Sequence, residues 1–141
     1  MPRAALATLE PDSDGYLWAK YEKFHESFCH DLSADEALVM AVAQKAPLAG
    51  TFGDSVTLPA WKKKPSWYQI SSEDRMIHPE NQEKMAARIH RRKVITLAAS
   101  HASLVSRAAE VSSLIDEAAT EASRYRSAVV REARRPAAEL R

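Results

Sequence analysis

Apolar positions along this chain follow two rhythms, and the changes between them mark out its elements. From Tyr16 to Cys29 the larger residues Trp18, Tyr21, His25 and Phe28 fall three and four apart, which predicts an amphipathic helix. Ser33 followed by Glu36 is a capping box, so a second helix is predicted to start there; Leu38, Val39, Met40 and Val42 form its apolar body and Pro47 ends it. Residues 48–64 show no period. Pro65 then opens Trp67-Tyr68-Gln69-Ile70, whose aromatic and β-branched content predicts a strand. A polar loop, SSEDRMIH, leads to Pro79 at a first helical position, with Met85, Ala86 and Ile89 as that helix's stripe. Arg91-Arg92-Lys93 leads into Val94-Ile95-Thr96-Leu97-Ala98, a second strand whose near-continuous apolar run predicts burial on both faces. After a turn with Ser100 and His101, the residues Ala108, Val111, Leu114, Ile115, Ala118 and Ala122 line one helical face from about Arg107 to Arg124. Residues 1–15, with the turn cluster Asp12-Ser13-Asp14-Gly15, read as an irregular lead-in.

From Pro65 onward the order is strand, loop, helix, strand, loop, helix, an α/β pattern. The segment before it reads as helical. Two strands are then expected to belong to a larger sheet whose other strands lie outside this chain.

In open α/β sheets function collects in the loops past the carboxyl ends of the strands. Here the first such loop carries Glu73 and Asp74, and the second carries His101. Neighbouring parallel strands would bring the two loops to one edge, where a carboxylate can orient an imidazole as a general base. The same residues also suit an Asp that caps the following helix and a surface His in a turn. His25, Cys29 and His30 are a metal-capable set within one stretch, but they lack a fourth partner and a common helical face, so no metal is expected.

Composition narrows the functional classes. The chain has 141 residues, 45% hydrophobic and 28% charged, with 20 basic against 19 acidic residues and a net charge of +1. That balance suits one soluble core and argues against disorder. The basic clusters Lys62–Lys64, Arg91–Lys93 and Arg124–Arg141 are offset by Glu121, Glu132 and Glu139, so they read as solvated faces and no nucleic-acid partner is expected. The single cysteine, Cys29, excludes an internal disulfide and points to a reducing, cytoplasmic setting. The longest apolar run, Ala37 to Ala43, is far short of the roughly 18–20 residues of a membrane span, and the start MPRAALATLE is not expected to be a signal peptide. Glycine occurs only three times, at 15, 50 and 53, which excludes Gly-rich phosphate cradles.

The segment PSWYQISSEDRMIHPENQEKMAARI followed by VITLAASHASLVSRAAEVSSLIDEAA resembles the C-terminal part of the α/β-hydrolase superfamily, in particular small bacterial esterase-like hydrolases. The preceding FHESFCHDLSADEALVMAVAQKAPLAG resembles their helical cap, and the likeness spans roughly residues 15–119. It implies an α/β fold made of a helical cap remnant (16–60), a core segment holding the last two parallel strands with flanking helices (61–124), and a basic solvated tail (125–141). In the family's acidic-loop context, Glu73, Asp74, Ile77 and Pro79 match, which assigns the triad acid to Asp74; Ser100 and His101 match the setting of the catalytic histidine. The stripe Trp18, Tyr21 and Phe28 is most simply a packing face; because the cap of the resembling enzymes also lines the acyl or alcohol pocket, the resemblance makes the three substrate-pocket candidates as well.

The family's nucleophile sits in a GxSxG elbow, and here the only related fragment is Gly53-Asp54-Ser55-Val56-Thr57, with one glycine, no preceding strand and a place after the cap. Ser55 is therefore a poor nucleophile. Ser100, Ser103 and Ser106 lie beside His101 in sequence, the wrong relation for a residue delivered from another strand. The oxyanion-hole loop is missing as well. Loss of the serine alone costs about 10⁶ in turnover in a serine hydrolase, so the chain by itself is expected to be inactive or nearly so, a C-terminal segment of an enzyme acting on small ester-like substrates without a cofactor. Its uncovered sheet edges would be met by self-association or by a missing N-terminal half. The alternative class is a non-catalytic helical module that binds a partner chain.

Overall fold

The computed structural model describes residues 8–89 and 91–133. It opens with a short hairpin. Strand β1 (Leu9–Pro11) pairs antiparallel with β2 (Leu17–Ala19), in the register Leu9↔Ala19, Glu10↔Trp18 and Pro11↔Leu17. This corrects two sequence expectations, the irregular lead-in up to residue 15 and a helix from Tyr16. The cause lies in Asp12. Its Oδ1 accepts from the amides of Asp14 (3.0 Å) and Tyr16 (2.9 Å), and its Oδ2 accepts from Trp18 Nε1 at 2.8 Å. Gly15 completes the reversal at φ +83°, a conformation that side chains disfavour. Residues 17–19 are thus held in an extended strand, and the helix starts only at Tyr21.

Helix α1 (Tyr21–Phe28) follows and buries Phe24 and Ser27, with Tyr21 exposed. Its buried stripe is therefore set off from the predicted Trp18-Tyr21-His25-Phe28 stripe, because the hairpin removes residues 17–19 from the helix. Helix α2 (Ala34–Ala43) starts at the capping box: Ser33 Oγ accepts from the Glu36 amide, and Glu36 Oε2 accepts from the Ser33 amide at 3.0 Å. It packs through Ala37 and Ala41, whose small side chains let α1 approach closely, while Leu38, Val39 and Val42 stay exposed. Past its end, Gln44 Oε1 accepts from the Ala19 amide and Gln44 Nε2 donates to Ala19 O, tying α2 to β2. The buried core around these helices is Ala19, Phe24, Cys29, Ala37 and Ala41, joined by Ala102 from the second half of the chain.

The second half has the predicted α/β order. Strand β3 (Ser66–Ser71) runs parallel to β4 (Arg91–Leu97), joined by helix α3 (Pro79–Arg88) with Pro79 in its first turn. The register runs from Trp67↔Lys93 to Ser71↔Leu97, so both strands end side by side. Burial of β4 on both faces is not observed: Arg91 to Lys93 and Thr96 are exposed and the other residues half-buried, because β3 is its one partner among the described residues. The short helix α4 (Ser103–Ser106) precedes the long helix α5 (Ala108–Ala133), which buries Val111 and Leu114 and leaves Ile115 exposed. Of the basic tail, residues 134–141 lie outside the described residues, as do residues 1–7 of the lead-in. No helix among the described residues is long and apolar enough to cross a membrane.

Candidate active site

The parallel register delivers the site. Past Ser71 the chain stays beside β4 for two more residues: the Ser72 amide donates to Leu97 O (2.9 Å) and the Glu73 amide to Ala99 O (3.1 Å). Asp74 and His101 emerge next to each other from these adjacent strand ends. Asp74 is 7% exposed, and its Oδ2 lies 2.8 Å from His101 Nδ1. The other oxygen, Oδ1, accepts from the amides of Met76 (2.7 Å) and Ile77 (2.9 Å). Burial pushes this carboxyl up, but the His101 hydrogen bond and the Ile77 and Met76 amides outweigh it, and Asp74 is held below the ordinary carboxylate range. Glu73, its neighbour, is exposed; its carbonyl oxygen accepts from His30 Nε2 at 3.0 Å, and its side chain takes no part in the pair.

An imidazole bonded to a carboxylate through Nδ1 keeps that nitrogen protonated and leaves Nε2 as the acceptor. His101 also lies edge-on to the Phe28 ring, centroids 4.6 Å apart at 76°, and Phe28 stacks on Phe24 at 4.8 Å. His101 stands in the wall of a cleft of about 710 Å³. The cleft runs between the hairpin, α1, α2 and α3, and its walls are mainly apolar, with Leu17, Phe28, Met40, Phe52, Met76 and Met85 among them and Gln44 and Lys45 as polar members beside His101. Of the three pocket candidates read from the sequence, Phe28 lines this cleft. Trp18 is spent on Asp12 in the hairpin and Tyr21 faces solvent, so neither is in the wall.

A second set of contacts anchors the His101 loop to the helical half. The Ser100 amide donates to Asp31 Oδ2 at 2.9 Å, and the fully buried Ser100 Oγ accepts from the Ala102 amide. Burial raises Asp31, yet the Ser100 and Ser106 hydroxyls and the Ser100 amide outweigh it and bring it down to about 2. Arg75 Nη1 donates to Glu26 O at 2.9 Å. Asp31 gave no periodic signal in the sequence, since it sits in the turn between two helices.

Gln82 was also missed, though a signal existed: the stripe Ala86-Ile89, extended back one turn, lands on it. It is 5% exposed and reaches Asp74 Oδ2 with Nε2 at 2.9 Å. The remaining candidates lie elsewhere. Ser103 Oγ donates to Gln69 Oε1, Ser106 is half-buried on α4, and Ser55 is exposed in the irregular segment before β3. His25 Nε2 is 2.9 Å from Leu32 O, and the Cys29 thiol is buried, which raises it together with the nearby Asp31 charge. No group of three or more metal-capable side chains occurs among the described residues.

The family model described as alpha/beta hydrolase family matches residues 1–114. No curated protein and no solved structure matches the chain significantly.

Proposed function

The chain belongs to the alpha/beta hydrolase family, and from that premise we propose that it supplies the acid and the general base of ester or related carbonyl hydrolysis but no nucleophile. Asp74 is the acid and His101 the base. The observation that carries the reading is the 2.8 Å contact between a buried Asp74 and a His101 that stands in the wall of an apolar cleft. With a hydroxyl nucleophile brought by another segment, His101 Nε2 takes the hydroxyl proton as the oxygen attacks the substrate carbonyl. It then gives that proton to the leaving alcohol, while Asp74 holds the ring and balances its charge. Phe28 and the neighbouring cleft wall would receive the apolar part of a small ester-like substrate. No two glycines of the chain are spaced as a GxSxG elbow requires, which supports a chain that is silent, or nearly so, when alone. No cofactor enters this chemistry, and the setting we propose is cytoplasmic.

The test is hydrolysis of a short-chain p-nitrophenyl ester by the purified chain beside its His101→Ala variant. Equal background rates are expected. Turnover that His101→Ala removes would show a nucleophile within the chain and overturn the silent reading. Added to an N-terminal α/β-hydrolase half that carries a nucleophile elbow, the chain should restore turnover that requires His101; restoration independent of His101 would defeat the assignment of the base.

A second reading is favoured by α2, where Val39 and Val42 are 67% and 72% exposed on a helix that packs through its alanines. In that reading the chain is an interaction module whose partner is a second copy. Sedimentation velocity decides it: a concentration-dependent dimer that Val39→Lys/Val42→Lys disperses supports it, and a lone monomer boundary at high concentration refutes it.

A further inference from the structure

We propose that Gln82 is a positioning residue for the Asp74–His101 pair, fixing which oxygen of Asp74 meets the imidazole; this rests on the assignment of that pair under Proposed function. Gln82 sits one turn into α3, buried under the end of β3. Its Oε1 accepts from the Ser71 amide at 3.0 Å, while its Nε2 donates to Ile77 O at 2.8 Å and to Asp74 Oδ2 at 2.9 Å. This set admits one orientation of the amide. Turned over, the amide would present NH₂ to the Ser71 N–H and its carbonyl to both a carbonyl and a carboxylate. The polarity of Nε2 against Asp74 is therefore set by the backbone of β3, not by the carboxylate.

The consequence falls on Asp74. Its Oδ1 is filled by the amides of Met76 and Ile77, and its Oδ2 by Gln82 Nε2 and His101 Nδ1. Four donors converge on one buried carboxylate, which favours its ionised form and holds the group in one orientation. Without Gln82, Oδ2 would keep only the imidazole, and the carboxyl could rotate or take up a proton. A polar side chain on the buried stripe of α3 thereby holds the acid ionised and its free electron pair aimed at Nδ1.

The unmodified chain gives the first test, by NMR. As pH falls through the Asp74 transition, followed at its ¹³C carboxyl, the Gln82 side-chain NH₂ resonances should move with the same midpoint. Gln82→Met keeps the side-chain length but removes the donor and the Ser71 acceptor; Gln82→Glu keeps an acceptor for Ser71 and removes the donor. In each variant whose circular dichroism matches the unmodified chain, the Asp74 midpoint should rise and the ¹⁵N shifts should show a several-fold loss of the Nδ1–H tautomer of His101. A Gln82 amide indifferent to Asp74, or a folded variant with unchanged midpoint and tautomer, would reduce Gln82 to a tie between α3 and β3 and overturn the proposal. None of these readouts depends on turnover, so a failed rescue of hydrolysis by a nucleophile-bearing half would count against the assigned function and leave this result standing.

Discussion

Replacing Asp74 with asparagine probes the centre of the site with almost no change of shape. An Asn carbonyl can still accept from the Met76 and Ile77 amides, which hold the present Oδ1 at 2.7 and 2.9 Å. Its NH₂ then occupies the Oδ2 position, facing two donors, Gln82 Nε2 at 2.9 Å and His101 Nδ1 at 2.8 Å. His101 can resolve its half of the conflict by moving its proton to Nε2 and accepting at Nδ1. Gln82 cannot, because Ser71 and Ile77 fix its amide. One buried donor stays unpaired, and a charge-assisted bond becomes neutral. Such an orphan costs about 1–3 kcal/mol, so about 2 kcal/mol of stability should go, a large share of the 5–15 kcal/mol typical of a domain. Urea denaturation gives that number, and the ¹⁵N shifts of His101 give the tautomer, which should change from Nδ1–H to Nε2–H. The pH dependence follows with a definite sign. Asp74 lies below its ordinary value of 3.8 in the folded chain. Its ionised form therefore stabilises the fold above that value, and the stabilisation is lost as pH falls toward and through the folded-state value. Asp74→Asn should remove this part of the acid limb. A folded Asp74→Asn chain with unchanged stability, the same acid limb and an Nδ1–H imidazole would refute the hydrogen-bond reasoning.

Two further substitutions examine the supports of His101. Asp31→Ala removes the acceptor of the Ser100 amide. The depression of Asp31 from 3.8 to about 2 corresponds to about 2 kcal/mol at full value, and its solvent exposure reduces the expected loss to about 1 kcal/mol. That loss should be seen in urea at pH 7 and fade as the pH falls from 4 toward about 2; an unchanged midpoint at pH 7 would show the contact to be idle. Phe28→Ala takes away a half-buried ring wedged between Phe24 and His101. It should cost about 2 kcal/mol, less than the 3–5 of a fully buried aromatic, and broaden the His101 ring resonances by freeing their edge. Sharp, unshifted His101 signals in that variant would deny the ring its supporting role.

The sequence made some of this legible and hid the rest for identifiable reasons. The capping box at Ser33 and Glu36, the proline at the head of α3, the aromatic and β-branched residues of β3 and the apolar run of β4 are local signals. They appear where expected, and the parallel order of β3 and β4 places Asp74 beside His101. The hairpin escaped because Trp18 and Tyr21 keep a helical spacing by chance, while the deciding chemistry is an Asp12 carboxylate bonded to three donors. Leu38, Val39, Met40 and Val42 read in the sequence as the apolar body of α2, yet the close contact with α1 selects Ala37 and Ala41. Gln82 and Asp31 were missed because a polar residue on a buried stripe, or in a turn, looks like surface until its partners are known.

The crossover that joins β3 to β4 has a consequence for the order of events in folding. Asp74 and His101 are 27 residues apart in sequence, and they meet only after α3 has folded back and the two strands have paired. Closing such a loop costs entropy that no contact within either loop repays beforehand. The acid and the imidazole therefore meet only with the pairing of β3 and β4, while the ties from Ser100 to Asp31 and from Arg75 to Glu26 reach across 69 and 49 residues and close larger loops still. The hairpin and the α1–α2 pair, whose contacts are short in sequence, need no such closure, so a chain caught before that step can hold them. Its histidine would still be an ordinary solvated imidazole.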